Sequence, residues 1–207
     1  RTPLAVIDAE MARRSLREFV RQAWPEVEAA TPFIPGWHTD AIADHLQAVT
    51  EGHIRQLLIT MPPRHAKSLM VGVFWPAWEW TSRPERRHLV TSYALSLAIR
   101  DTMRTRRLIE SPWYQQRWGH VVRLAGDQNA KQRYDNTAGG YRIAGSVGSG
   151  VTGVHACALL AGVLAALGAH AQHLVCPAWA PWLVAAGLSL YGAPRLLRLQ
   201  QPVTQHS

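Results

Sequence analysis

The sequence predicts an α/β fold, a parallel sheet with flanking helices followed by an apolar helical tail. A short apolar run at residues 54–60 leads through a basic turn into an apolar helical stretch at 68–81. A second strand-and-helix pair follows at 88–93 and 94–110. Alternation of strands and helices is typical of parallel sheets with right-handed crossovers. Beyond residue 153 the chain is apolar and nearly uncharged, which predicts the tail.

Two helices are predicted before the first strand. The first begins with Asp8 as its N-cap and ends at Pro25. The second begins after a turn at 32–36, is capped by Thr39 or Asp40, and ends before Gly52. Their apolar residues recur at helical spacing and predict two buried faces, formed by Ala12, Leu16, Phe19, Val20 and Ala23 in the first helix and by Ile42, Leu46 and Val49 in the second.

Further elements are predicted after the second strand-and-helix pair. Residues 121–124 read as a short strand, and residues 141–144 as another that is reached through a hairpin turn at 136–140. In the helix at 94–110, three arginines share one face because of their spacing: Arg100, Arg104 and Arg107. This face either contacts a DNA backbone or is simply solvated.

The basic turn has most of the spacing of a phosphate-binding loop. The consensus G-x-x-x-x-G-K-[ST] places a lysine on the β- and γ-phosphates and a hydroxyl on Mg²⁺. Lys67 and Ser68 match its last two positions, whereas Met61 and Ala66 occupy the glycine positions. If the backbone at Ala66 requires a positive φ, alanine costs about 1 kcal/mol there. The sequence therefore predicts a variant phosphate loop between a strand and a helix.

The net charge of the chain indicates the class of partner, and its cysteine content indicates whether disulfide bonds are expected. The formal net charge is +8 and the isoelectric point is about 10.3, which favours a polyanionic partner, either nucleic acid or an anionic membrane surface. The two cysteines, Cys157 and Cys176, both lie in the apolar tail. With no secretory signal in this sequence, we expect reduced thiols rather than a disulfide framework.

Several stretches resemble one known family. Residues 59–68 (ITMPPRHAKS), continued by residues 73–78 (VFWPAW), resemble the ATPase loop of the large terminase subunit of tailed phages and prophages. Residues 109–114 (IESPWY) and 127–131 (DQNAK) are also similar to that ATPase, so the resemblance covers about 33–153. That family's motor threads DNA into an empty capsid, and its loops normally lack the first glycine.

The resemblance implies a truncated P-loop NTPase-type sheet that binds ATP and Mg²⁺. Lys67 and Arg64 would be the catalytic residues, and Ser68 would ligate the metal. The loop residues that would hold the nucleotide are Pro63, Arg64, His65, Ala66, Lys67 and Ser68. Trp37 resembles the region that helps to hold the adenine base, although a partly buried core tryptophan is an equally good interpretation.

The family also implies partners and a location. These are double-stranded DNA, the small terminase subunit and the portal, in the host cytoplasm at the procapsid portal. The pattern breaks after the glycine-rich run at 145–153, where the family continues into an apolar strand that ends in paired acidic residues. Here no Asp or Glu follows Asp135, and the family's nuclease half is missing. We therefore expect a fragment that binds ATP without turnover, or a non-enzymatic remnant.

The sequence divides into a partial ATPase domain at 1–153 and a tail of different character at 154–207. The tail contains two apolar spans at 154–169 and 174–191. Three interpretations stay open: out-of-frame sequence from a disrupted gene, a membrane hairpin through 154–193 that makes the chain membrane-associated, or helices that cover an exposed sheet edge.

Overall fold

The computed structural model describes residues 3–62, 64–126 and 131–146, together with the backbone of two further strands. Within these ranges, a π-helical turn at Met70–Phe74 lies between two of the helices. The helices are α1 (Pro3–Arg14), α2 (Leu16–Val27), α3 (Trp37–Glu51), α4 (Lys67–Leu69), α5 (Trp75–Trp80), α6 (Leu95–Glu110) and α7 (Pro112–Trp118). The strands are β1 (Leu57–Met61), β2 (His88–Ser92), β3 (Arg133–Asp135), β4 (Tyr141–Ser146), β5 (Cys157–Val163) and β6 (Ala171–Cys176). The chain is therefore a mixed α/β structure.

The predicted first helix is two helices in the structure. Ser15 has an extended backbone and caps α2, because its side chain accepts a hydrogen bond from the amide of Glu18. Asp8 lies inside α1 rather than at its start, and Pro25 lies within the last turn of α2 instead of ending the helix. These predicted boundaries were wrong. The predicted apolar face is confirmed, since each of its members is buried: Ala12, Leu16, Phe19, Val20 and Ala23.

Helix α3 begins one turn earlier than its predicted caps. Gly36 is the N-cap residue, and the hydroxyl of Thr39 accepts from the Gly36 amide at 3.1 Å and donates to the Gly36 carbonyl at 2.7 Å. Thr39 therefore stabilises the helix start from the third helical position. At the other end, Gly52 has a φ of 89°, a conformation that favours glycine, so the predicted end is confirmed.

The sheet is mixed, and the expectation of a purely parallel sheet was wrong. β2 pairs in parallel with β4, and β4 pairs antiparallel with β3, which gives a small three-strand mixed sheet. On its other side β2 pairs in parallel with β5, β5 pairs antiparallel with β6, and β6 pairs antiparallel with β1. The order of the described strands is β1-β6-β5-β2-β4-β3.

Strand direction determines which loops share an edge of the sheet. Two antiparallel steps separate β1 from β5, so β1 runs in the same direction as β5, β2 and β4. Met61, Ser92 and Ser146 therefore end their strands at the same edge. In open α/β sheets this carboxyl edge is where ligands bind.

The short strand predicted at 121–124 is absent from the described structure, where Leu124 makes only an isolated bridge to Asn136. Residues 131–135 supply the antiparallel partner instead, because β3 pairs with β4 in the register Tyr134 to Arg142. The predicted hairpin turn at 136–140 is confirmed: the amide of Asn136 donates to the carbonyl of Gly140 at 2.8 Å, and Gly139 has a φ of 85°.

The apolar tail was predicted to be helical, and its described parts are strands. β5 and β6 pair with each other, with β2 and with β1. Short apolar runs do not distinguish a buried strand from a buried helix by periodicity, whereas pairing with neighbouring strands does. Within the described ranges, no helix combines the length and apolar character that crossing a membrane requires. The division at residue 153 stays a prediction.

The core lies between the sheet and the helices, and aromatic side chains fill much of it. Phe19 of α2 packs on the rings of Trp113, Tyr114 and Trp118, with centroids 5.6 to 6.4 Å away. Trp75 and Trp80 of α5 are almost completely buried. The helical stretch from Lys67 to Trp80, which follows the predicted phosphate loop, is thus packed into the core.

Candidate phosphate-binding loop

The loop lies between β1 and a helix, as the sequence predicts. β1 ends at Met61 and helix α4 begins at Lys67, from which helical structure continues through the π-helical turn to Trp80. Between these elements, Arg64 and His65 are exposed, and Ala66 is half-buried. Pro63 lies outside the described residues. A tight turn at the carboxyl end of a strand, leading directly into a helix, points main-chain amides at one location.

Two loop residues have left-handed backbone conformations. The φ angle is 68° at Arg64 and 56° at Ala66, and Ala66 is the N-cap residue of the helix. Left-handed residues that alternate with right-handed ones turn successive amides to one side and form a concavity for an anion. The backbone at Ala66 therefore has the positive φ that makes alanine costly at this position, whereas glycine would have no steric cost there.

Lys67 is buried at the first position of the helix. Its exposed fraction is 4%, and its Nζ donates to the carbonyl of Met61 at 3.4 Å. Burial lowers the pKa of this amine, because removing the ammonium from water disfavours its charged form. Among the described residues, no carboxylate forms an ion pair with Lys67. The amine is held by a neutral acceptor at the end of β1, where an anion in the loop would be a stronger partner.

Two aromatic rings from the start of α3 lie beside the loop residue His65. The rings of His38 and His65 are 5.5 Å apart in an edge-to-face arrangement, and Trp37 contacts His38 with a centroid distance of 6.1 Å. Trp37 is 73% exposed, so the interpretation of it as a core residue was wrong. The start of α3 thus lies next to the loop. The contact between His38 and His65 was not predicted, because the two histidines are 27 positions apart in the sequence.

Acidic residues before the break in the family pattern could replace the missing pair only if they lay at the loop, and the described ones lie in other elements. Glu79 is buried and accepts a hydrogen bond from Thr50, and Asp135 pairs with Arg133 at 2.9 Å. Asp101 lies on α6, pairs with Arg100 at 2.9 Å, and approaches Gly72 in the π-helical turn. Asp8 belongs to α1, and Asp127 lies outside the described residues.

The arginine face of α6 is partly occupied by carboxylates. Arg100 pairs with Asp101, and Arg104 pairs with Glu28 at 3.1 Å. Arg107 is exposed. Both pairs are only partly exposed, so these carboxylates already neutralise part of the arginine face. Contact of this face with DNA therefore stays a prediction.

Three residues that hold the helix after the loop were not predicted from the sequence. They are Gly72, whose carbonyl projects from the π-helical turn, Arg142, which donates to that carbonyl, and Thr105, whose hydroxyl lies 3.2 Å from it. The available signal was Pro76, four residues after Gly72, because a proline cannot donate the helical hydrogen bond to that carbonyl. Comparison with models of known protein families, with curated proteins and with solved structures found no match to this chain.

Proposed function

We propose that the chain is the ATPase part of a DNA-packaging motor of the large-terminase-subunit type, with a P-loop NTPase-type sheet, and that it binds ATP at the loop from Met61 to Ser68. One observation carries this proposal: a turn with left-handed residues at Arg64 and Ala66 connects the carboxyl end of β1 to a helix that begins with buried Lys67. This arrangement suits a phosphate group, because amides and a cation converge on one point.

The residues present fit a nucleotide triphosphate with its metal ion. The ammonium of Lys67 would hold the β- and γ-phosphates, and exposed Arg64 would reach the γ-phosphate from the loop. The hydroxyl of Ser68, in the first helical turn, would be a ligand of Mg²⁺. Bound Mg²⁺ supplies positive charge that offsets the phosphate oxygens. Pro63 and His65 would complete the loop around the phosphates.

The start of α3 supports an adenine site beside the phosphates. Exposed Trp37 presents an indole face near the loop, and His38 connects it to His65 through ring contacts. Stacking on an aromatic face is a common way to hold a purine base. Trp37 would therefore orient the base while the loop holds the phosphates.

Binding without turnover is the activity that we propose for this chain. Splitting a phosphoanhydride in such motors needs carboxylates beside the metal ion and the attacking water. The sequence contains no Asp or Glu after Asp135. The proposed partners are double-stranded DNA, favoured by the net charge of +8, and the small terminase subunit and portal, in the host cytoplasm at the procapsid.

The chain offers a matched control for the binding test, because its two lysines are Lys67 and exposed Lys131. Affinity for Mg-ATP is measured by calorimetry for the wild type, Lys67→Ala and Lys131→Ala. We expect Lys67→Ala to weaken binding about 10- to 100-fold, the effect of losing a charged hydrogen bond. Lys131→Ala should bind like the wild type. Equal affinities for all three proteins would contradict the proposal, and phosphate release above that of Lys67→Ala would contradict binding without turnover.

A further inference from the structure

The helix that follows the loop contains a carbonyl that the helix itself cannot pair in the α-helical pattern. In a regular α-helix the carbonyl of Gly72 accepts from the amide of residue 76. Residue 76 is proline, which has no N–H and whose ring disfavours the normal position of that carbonyl. The chain adopts a π-helical turn at Met70–Phe74, and the Gly72 carbonyl is directed out of the helix.

Two side chains from other elements reach this carbonyl, and Arg142 is the principal donor. Nη2 of Arg142, on β4, donates to the Gly72 oxygen at 2.5 Å. Oγ1 of Thr105, on α6, lies 3.2 Å from the same oxygen and 3.0 Å from the carbonyl of Asp101, so its single proton is shared between these acceptors. Arg142 is itself oriented by Thr102, whose hydroxyl accepts from Nε at 3.2 Å. The sheet and α6 therefore both hold the helix at one atom, five residues after Lys67.

Arg142 is an unusual side chain for this position. It is completely buried, and its Nη1 has no hydrogen-bond partner among the described residues. Burial lowers the pKa of Arg142, while the nearby Tyr134 and the carboxyl group of Asp101 favour its charged form. A charged group in such surroundings is destabilising unless its hydrogen bonds offset the loss of water. An apolar side chain would fill the space at lower cost, so packing alone does not explain an arginine here.

We propose that Arg142 is a positioning residue for the phosphate loop, acting through the Gly72 carbonyl to hold the first turns of the helix. This inference rests on the proposed nucleotide site. The Gly72 oxygen lies on the turn directly after Lys67 and Ser68. A shift of that turn would rotate the Lys67 amine and the Ser68 hydroxyl relative to the end of β1. By holding the turn against β4 and α6, Arg142 sets the direction in which both groups point.

The structure provides a matched control on the same helix. Oη of Tyr114, which is also completely buried, donates at 2.9 Å to the carbonyl of Ala77, beyond the π-helical turn. Tyr114→Phe therefore removes a buried side-chain donor to a carbonyl of the same helix, but farther from the loop. Arg142→Met removes the principal donor to Gly72, and Thr105→Val removes the hydroxyl that lies beside the same oxygen. Thr105→Val changes the core less than Arg142→Met does, and it tests the same contact if Arg142→Met does not fold.

The first measurement needs no nucleotide. Amide hydrogen exchange is followed in peptides that cover 64–74 and 112–118, with thermal unfolding recorded for each variant. We expect Arg142→Met to accelerate exchange at 64–74 by about tenfold or more, as expected for local opening when a charged hydrogen bond is lost. Thr105→Val should accelerate exchange at 64–74 by a smaller factor, because its hydroxyl is neutral. Tyr114→Phe should accelerate exchange near 112–118 instead. Uniform acceleration in every variant would overturn the inference.

The second measurement is the affinity for Mg-ATP of the same proteins. Arg142→Met should weaken binding about tenfold more than Tyr114→Phe does, and Arg142→Lys should restore part of the loss, because lysine supplies one donor to Gly72. Equal affinities for Arg142→Met and Tyr114→Phe would overturn the positioning role. A wild-type protein that does not bind Mg-ATP would refute the proposed function, and the exchange measurement would then decide separately whether Arg142 controls the loop.

Discussion

Glu79 and His88 face each other inside the core, with Oε2 of the carboxyl group 3.7 Å from Nε2 of the imidazole and no exposed surface on either side chain. The other carboxyl oxygen accepts from the hydroxyl of Thr50 at 2.7 Å. Burial raises the pKa of Glu79, while burial and the nearby charges of Arg142 and Arg86 lower the pKa of His88 well below its usual value. The folded protein thus favours the neutral form of both groups.

These opposite pKa shifts predict opposite effects of pH on stability. Glu79 stabilises the folded state below its unfolded pKa of 4.5, and this contribution is lost as pH rises through the raised pKa. His88 acts in the other direction: stability is lost as pH falls below its unfolded value of 6.5 towards the lowered pKa. Each group contributes a slope of at most about 1.4 kcal/mol per pH unit. The slope of Glu79 begins above pH 4.5 and that of His88 begins below pH 6.5, and the two slopes oppose each other wherever both groups titrate.

Single substitutions should separate the pH dependence of stability that Glu79 contributes from that of His88. Glu79→Gln keeps an acceptor for Thr50 but removes the titrating carboxyl, so this variant should lose stability relative to the wild type as pH falls from 7 to 5. His88→Phe fits beside the ring of Trp80, which lies 5.9 Å away, and should gain stability over the same range. Urea unfolding at several pH values measures both effects. Curves that stay parallel to the wild-type curve would contradict this assignment.

The left-handed conformation of Ala66 predicts a stabilising substitution. Ala66→Gly should raise the free energy of unfolding by about 0.5–1 kcal/mol, because relief of the steric cost at φ 56° outweighs the added freedom of the unfolded chain. The control is Ala48→Gly in the interior of α3, which should lower stability by about 1 kcal/mol. Thermal unfolding of both variants provides the measurement, and destabilisation by Ala66→Gly would argue against the left-handed turn.

Removing the Lys67 amine should stabilise the folded protein and weaken its binding of Mg-ATP. Lys67→Met keeps an unbranched side chain and removes a buried amine, so the melting temperature should rise by roughly 2–4 °C while affinity for Mg-ATP falls about 10- to 100-fold. Because burial lowers the pKa of Lys67, the wild type should gain stability as pH rises from that lowered pKa towards 10.5. The variant should lack this gain. Lys131→Met, on the surface, should change neither property, and a lower melting temperature for Lys67→Met would contradict the prediction.

Trp37 should affect binding of the base but not of the phosphates. Trp37→Ala should weaken Mg-ATP binding about five- to tenfold, the loss expected for one aromatic stacking contact. Binding of inorganic triphosphate, measured in the same way, should remain unchanged because this ligand has no base. If both ligands bind more weakly to the same extent, Trp37 supports the loop through His38 and does not contact a base.

Local chemistry in the sequence was sufficient for several elements. Gly52 ends α3 because a left-handed residue was needed there, and the turn at 136–140 joins its flanking segments as a hairpin. The apolar face of the first two helices and the strand-loop-helix arrangement around Lys67 also follow from spacing along the chain. In these cases the physical cause lies within a few residues of the element itself.

Other features depended on contacts between distant segments. The tail strands β5 and β6 form where neighbouring strands accept their hydrogen bonds, which periodicity in an apolar run does not reveal. Ser15 caps α2 and divides the predicted first helix in two, so that Asp8 lies inside α1 and Pro25 lies inside α2.

The sequence by itself determined the alternation of strands and helices, the buried faces and the loop that ends in Lys67, because these depend on residue type and local spacing. Only the tertiary structure decided that His38 lies against His65 and that Arg142 donates to Gly72. Pro76 cannot donate the helical hydrogen bond to the Gly72 carbonyl, and this follows from the sequence alone. The replacement donor, Arg142, is 70 residues away in the sequence, so only the folded chain brings it to that oxygen.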